Sequence, residues 1–276
     1  MAAARVEKIA FLGKGGIGKS TILSNLSTIY ARMGRRVLFV GCYPKRDATM
    51  LLTNRTDIPT VVDELVRRNE IRAESVLLRA RSGIDCIEAG GPEPGVGCAG
   101  RGIARMLEFF QETDLLAKNR YDTVLFDLLG DIVCGGFATP LRRGFGQKVF
   151  IVVSDELMSL YAANNIARAV VSCSRNGVVL GGLVANLKDA SADEKLVARF
   201  ARLLRTKVVG TLRRDPALRR AEFKRLTIVE YAPKSPTTAT LKRLAQAILK
   251  LDPKKLPLPT PMDDRTFYDL SRRRFA

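Results

Sequence analysis

Directly after an apolar run at 8–12, and directly before a helical pattern that begins at Lys19, stands Gly13-Lys14-Gly15-Gly16-Ile17-Gly18-Lys19-Ser20. The spacing is GxxxxGK[ST], which carries meaning only where a strand leads in and a helix leads out. Its glycines let backbone N–H groups converge on phosphate oxygens, and the helix N-terminus adds a partial positive charge. Gly13, Gly15, Gly16 and Gly18 are therefore the expected cradle. Lys19 is expected to neutralise the β and γ oxygens, and the Ser20 hydroxyl to ligate Mg²⁺. Such a loop commits the chain to an open α/β sheet.

The remaining pattern agrees. Apolar runs at 37–41, 84–88, 123–127, 148–153, 180–186 and 207–212 read as further strands. Helical periodicity falls between them, at 19–33, 60–69, 102–117, 158–174, 191–204 and 237–249. Alternation of this kind predicts an α/β fold with a mainly parallel sheet and helices on both faces. Ligands of such sheets bind at the carboxyl ends of the strands. There is no repeat or long Gly/Ser linker in the 276 residues, so one P-loop NTPase domain is expected over 1–251. Residues 252–261, with Pro253, Pro257, Pro259 and Pro261, read as an extended, non-helical strap that leads to a short, mobile C-terminal tail ending at 276.

Composition removes several chemistries. There is no histidine, which excludes imidazole bases, Ser-His-Asp catalysis and His-ligated zinc. The five cysteines (Cys42, Cys86, Cys98, Cys134, Cys173) form no CxxC pair and are odd in number, a poor disulfide framework. Arg5, Glu7 and Lys8 stand where a signal peptide needs an apolar core, and no run approaches the ~18–20 apolar residues of a membrane span. A cytoplasmic protein with reduced thiols is expected. The net charge is +18, divided as +6 over 1–150 and +12 over 151–276. Ten basic residues lie between Arg199 and Arg225 against Asp215 and Glu222. Such a run is either a solvated basic face or a docking surface for an acidic partner or nucleic acid. Only Phe200 and Phe223 interleave it, which weakens a single-strand-binding reading.

Two other segments fit a nucleotide site. Asp127-Leu128-Leu129-Gly130 closes an apolar strand in the DxxG form of a γ-phosphate sensor. Asp127 can hold the Mg²⁺ shell, and Asp131 can position or deprotonate the attacking water, since no imidazole exists to do so. Cys42-Tyr43-Pro44-Lys45-Arg46-Asp47 follows the strand at 37–41, and Asp47 is placed for an outer-shell Mg²⁺ role.

Cys98 and Cys134 are each hemmed in by glycine, in 90–102 and 130–136. A lone buried cysteine packs as a small hydrophobe and needs no such setting. Two thiolates are too few for an iron–sulfur cluster, which takes four. A symmetric dimer with the cluster on its axis would supply them, and two unrelated structural cysteines remain the alternative. Asp127, Asp131 and Cys134 fall within eight residues, a short covalent route from γ-phosphate to a cluster ligand.

At this point the motifs resemble a known family. GKGGIGKS, GCYPKRDAT, EAGGPEPGVGCAGRGI, DLLGDIVCGGFATP, LYAANNIARAV and RRAEFKRLTIVEYAPKS are similar to the nitrogenase iron proteins and their protochlorophyllide and chlorophyllide reductase relatives, over nearly the whole chain. The resemblance implies a homodimer holding one [4Fe–4S] cluster between Cys98 and Cys134 of both subunits. It implies MgATP on each subunit, gating one-electron transfer from a ferredoxin or flavodoxin donor to a separate catalytic protein, most simply in nitrogen fixation, with no membrane or nucleic-acid partner. By position, Lys14, Lys19, Ser20 and Thr21 match phosphate and Mg²⁺ residues, with Lys14 the lysine that reaches across the dimer. Lys45, Asp47, Asp127 and Asp131 match the switches, while Asn186, Asp215 and Glu222 match adenine contacts. Arg101 matches the docking arginine that some members carry ADP-ribosylated. Cys42, Cys86 and Cys173 match no ligand and read as structural.

Three features depart from the family pattern. Tyr43 stands where Cys-Asp-Pro-Lys is usual, and a neutral phenol cannot take the Mg²⁺-linked role of a carboxylate. The family is acidic and this chain is strongly basic, which alters any docking face. Arg219 replaces a neutral polar residue near the adenine. These departures keep two other readings open: the reductase component of a tetrapyrrole system, and a cluster-free deviant P-loop ATPase that binds DNA or a membrane.

Overall fold

The computed structural model describes residues 6–68, 70–91, 100–128, 130 and 139–275. Its sheet has eight strands: β1 (Glu7–Leu12), β2 (Val37–Gly41), β3 (Leu78–Arg79), β4 (Asp85–Glu88), β5 (Thr123–Asp127), β6 (Lys148–Val153), β7 (Val179–Leu187) and β8 (Val208–Arg213). Their order is β3-β4-β2-β5-β1-β6-β7-β8, and every pair is parallel except β3 with β4. The seven strands read from sequence are present within one or two residues. β3, a two-residue antiparallel edge, is too short to leave a periodic signal.

Alternate residues of each strand feed opposite faces. Ala10, Leu12, Val40 and Phe126 enter one core with the helices Gly100–Glu112, Leu157–Ser172 and Glu194–Leu203. Ile9, Phe11, Phe39 and Leu125 enter the other with Lys19–Arg32 and Pro236–Lys250. Both faces are thus covered, as parallel pairing demands. The register sets Gly41 of β2 and Phe11 of β1 on either side of Asp127 of β5, so three strand ends meet at one rim. At the opposite rim Lys148, nearly buried, meets Glu7 at 2.7 Å, and Arg35 donates to the Thr123 hydroxyl at 2.6 Å and the Asp122 carbonyl at 2.8 Å.

Two expectations are corrected. The helix read over 102–117 stops at Glu112, because Asp114 adopts a left-handed φ of 50° before a new turn at Leu115–Lys118. The C-terminal tail is an ordered part of the fold. Residues Pro253–Lys255 form one 3-10 turn with Pro at its start, and Asp264–Arg272 is a helix capped by Asp263. Phe267 and Phe275 pack edge-to-face on Phe200 and on each other. Ahead of that helix the Asn164 amide, fully buried, donates to the Met262 carbonyl at 2.8 Å and accepts its N–H at 2.9 Å. Two apolar anchors spaced eight apart among arginines give a weak periodic signal, and tertiary packing supplies the rest. The basic run at 199–225 is divided among the helix Glu194–Leu203, strand β8 and the helix Pro216–Phe223.

Candidate nucleotide site and its connection to the cysteine segments

The loop after β1 is shaped by close approaches. A Cβ on Gly13, whose φ is 141°, would collide with the Val152 carbonyl of β6. Gly18, at φ 102°, caps Lys19–Arg32 with no side-chain bond, and the first turn holds no acidic residue. The leading N–H groups of this helix are therefore left to an anion, as its dipole favours. Asn186 donates to the Ile17 carbonyl at 2.6 Å and Lys188 to the Gly16 carbonyl at 2.6 Å, stitching the loop to the end of β7. The Lys19 ammonium, on a residue only 4% exposed, curls back onto the carbonyls of Gly13 (2.7 Å) and Lys14 (3.2 Å). A Cβ on Gly130 would meet the Gly13 carbonyl, so the DxxG glycine lets that segment lie directly against the loop.

Lys19, Ser20, Thr21, Tyr43, Lys45 and Asp47 line one cleft of about 470 Å³ together with Gly15, Gly16 and Gly18. Asp127, fully buried, lies behind the lining, where its Oδ1 faces the Tyr43 hydroxyl at 3.3 Å. Burial pushes its carboxyl up to about 6, while the neighbouring Ser20 hydroxyl, the Lys19 charge and the Tyr43 hydroxyl hold it down. Its Oδ2 has no hydrogen-bond partner among the described residues. An orphaned buried oxygen beside a serine hydroxyl fits the hydrated shell of Mg²⁺, which keeps several waters and takes carboxylate and phosphate ligands.

A second cavity of about 530 Å³ shares Gly16, Gly18 and Thr21 with the cleft and is lined by Asn186, Asp215, Arg219 and Glu222. The three residues matched to adenine contacts are thus together, but their polar atoms already have partners. Asp215 caps Ala217 at 2.7 Å and accepts the Thr237 hydroxyl at 2.5 Å, and Glu222 accepts the Thr21 hydroxyl at 2.9 Å. Arg219 stacks its guanidinium over Phe223 at 5.7 Å. Lys14 faces Glu156 of its own chain at 3.8 Å, an exposed pair that contributes little.

Sequence reasoning missed Glu88. It is fully buried at the end of β4, accepts the Thr49 N–H (2.8 Å) and hydroxyl (2.9 Å) on Oε1, and leaves Oε2 unpartnered. Only a glycine fits opposite, since a Cβ on Gly41 would collide with that carboxyl group. A lone glutamate at a strand end carries no sequence signal of such a bond. Burial pushes its carboxyl from 4.5 up to about 8. Between those two pH values the folded chain binds one proton more than the unfolded chain, so stability falls as pH rises and the loss is complete above the upper value. Glu88→Gln is expected to abolish this slope. At about pH 8.5 the variant should gain on the order of a few kcal/mol over the parent, with little difference near pH 4.5, as read by chemical denaturation.

Cys98, Cys134 and Asp131 lie outside the described residues. Arg101 is exposed in the first turn of Gly100–Glu112, just past Cys98 in the chain. Cys42, Cys86 and Cys173 are buried free thiols, and burial pushes those of Cys42 and Cys86 well above the ordinary range. Both thiols are packed into the hydrophobic cores, one on each face of the sheet. No helix among the described residues is long and apolar enough to cross a membrane.

The family model for 4Fe-4S iron sulfur cluster binding proteins, NifH/frxC family, matches residues 7–274. The chain is 42% identical over 264 residues to a nitrogenase iron protein of Methanospirillum hungatei, covering 94% of this chain and 93% of that protein. Among solved structures it is similar to the MinD cell division protein of Aquifex aeolicus, with TM-score 0.66 and 19% identity, over 92% of this chain and 99% of that one. A ParA family ATPase of Chlorobium tepidum gives TM-score 0.66 at 16% identity, over 87% and 98%. These two likenesses show the fold.

Proposed function

This chain belongs to the NifH/frxC family of 4Fe-4S iron–sulfur cluster binding proteins, and from that premise we propose that it is the ATP-driven reductase component of a nitrogenase-type system. The observation that carries the reading is Asp127: it is buried beside Tyr43 of the phosphate cleft, its Oδ2 is without a hydrogen-bond partner among the described residues, and in sequence it stands seven residues before Cys134.

In this reading the first-turn N–H groups of Lys19–Arg32 and the Lys19 ammonium take the β and γ oxygens of ATP, and Ser20 ligates Mg²⁺. Lys19 then exchanges the Gly13 and Lys14 carbonyls for phosphate, which frees the loop to close on the nucleotide. Asp127, together with Ser20, would hold the hydrated metal. The chain has no histidine to orient the attacking water, and Asp131 is the carboxylate proposed for that role. Two copies of the chain would supply Cys98 and Cys134 to one [4Fe–4S] cluster, whose chemistry is the uptake and release of a single electron. Lys14 would leave its weak pairing with Glu156 for the nucleotide of the second copy. A reduced ferredoxin or flavodoxin would be the electron donor, and Arg101 would lie on the surface presented to the acceptor.

The test is an anaerobic redox titration of the purified dimer with and without MgATP. A nucleotide-dependent change in midpoint potential is expected, and an iron-containing protein whose potential ignores MgATP overturns the coupling. The acceptor is identified by capture from anaerobic lysate with an aluminium fluoride-trapped nucleotide. A nitrogenase-type component is expected, and recovery of a tetrapyrrole reductase component reassigns the substrate.

A further inference from the structure

Tyr43 contributes its side chain to the cleft from the end of β2, beside Asp127 at the end of the neighbouring β5. Its single hydroxyl proton is shared between the Leu128 carbonyl at 2.9 Å and Asp127 Oδ1 at 3.3 Å. The Lys19 ammonium lies over its ring at 5.9 Å. One phenol therefore touches the metal-facing carboxylate, the backbone that follows it and the phosphate-binding lysine.

We propose that Tyr43 is a positioning residue that latches Asp127 and Leu128 when no metal–nucleotide complex is bound, and that Mg²⁺ with nucleotide has to compete with its hydroxyl for Asp127. The inference rests on the reading of the cleft as a MgATP site. The physical basis is the neutrality of the donor. A phenol is neutral near pH 7, and the Leu128 carbonyl and Asp127 Oδ1 both face its hydroxyl as acceptors, so it serves as a proton donor to both. It satisfies Oδ1 with no cation present, whereas a carboxylate at the same place would repel Asp127 until a cation entered between them. The two strand ends are thereby tied together independently of metal. A hydrogen bond to an ionised acceptor is among the stronger ones, and withdrawing Asp127 from it weakens metal-dependent binding.

The experiment compares ATP affinity by calorimetry in Mg²⁺ and in EDTA, on the full chain and its Tyr43→Phe and Tyr43→Asp variants. Phenylalanine keeps the ring and removes only the donor. The expected result is a ratio of affinity in Mg²⁺ to affinity in EDTA about tenfold larger in Tyr43→Phe than in the parent. Tyr43→Asp should bind more weakly than the parent in EDTA and show the largest metal-dependent gain of the three. Should Tyr43→Phe fail to fold, the Tyr43→Asp comparison alone decides. Equal gains in parent and variants, with ATP binding intact, overturn the latch and leave the nucleotide site standing. A parent chain that binds no ATP in either condition removes the nucleotide reading, and the latch with it.

Discussion

Replacing either Cys98 or Cys134 by alanine is expected to lower bound iron from about four per dimer to background and to leave a colourless protein. The expectation follows from the fate of the other three thiols. Cys42, Cys86 and Cys173 are buried in the hydrophobic cores on the two faces of the sheet. None of them can stand in for a lost ligand without unpacking a core, so the chain has no reserve donor. In the proposed dimer one substitution would remove two of four ligands from the shared cluster, because each change would occur twice. Iron analysis after anaerobic purification reads the result, and ATP affinity should stay within about twofold of the parent. Iron retained at parental level in both variants would show that the cluster is held elsewhere or absent from the design.

Lys19→Ala is expected to cut ATP hydrolysis by about a thousandfold. The ammonium is nearly buried and directed at the loop carbonyls of Gly13 and Lys14, so it is already desolvated before phosphate arrives. A charge held in a water-poor cleft acts on developing phosphate charge far more strongly than one in solvent. Arginine should not rescue it, since a planar fork cannot enter the space that a tapering lysine occupies. Steady-state phosphate release, with thermal midpoints to confirm folding, measures the effect. Turnover within tenfold of the parent would count against the assigned role.

The phosphate loop and its flanking strand and helix were legible because glycine placement and apolar periodicity are local properties. That Asp127 closes a strand was legible for the same reason, and strand ends in a parallel sheet converge on one rim. What escaped was set by pairing across the sheet. Glu88 bonded to Thr49 and Tyr43 bonded to Leu128 depend on which strand lies beside which, and neither spacing nor composition encodes that. The docked C-terminal helix escaped too, because Phe267 and Phe275 reveal their purpose only against Phe200. Tyr43 was recognised as a departure in sequence. Its hydroxyl partners came only with the register of β2 on β5.

The sheet has two ends with different duties. Loop, switch residues and the openings toward both cysteine segments crowd one end, where collisions at Gly13, Gly41 and Gly130 leave no slack. The other end is fastened by Lys148 on Glu7 and Arg35 on Thr123 and Asp122, far along every strand from any phosphate. Durability and turnover are therefore separable by design. An engineer seeking a hardier variant should work among the fastenings, and evolution could have drifted there freely while the business end stayed fixed.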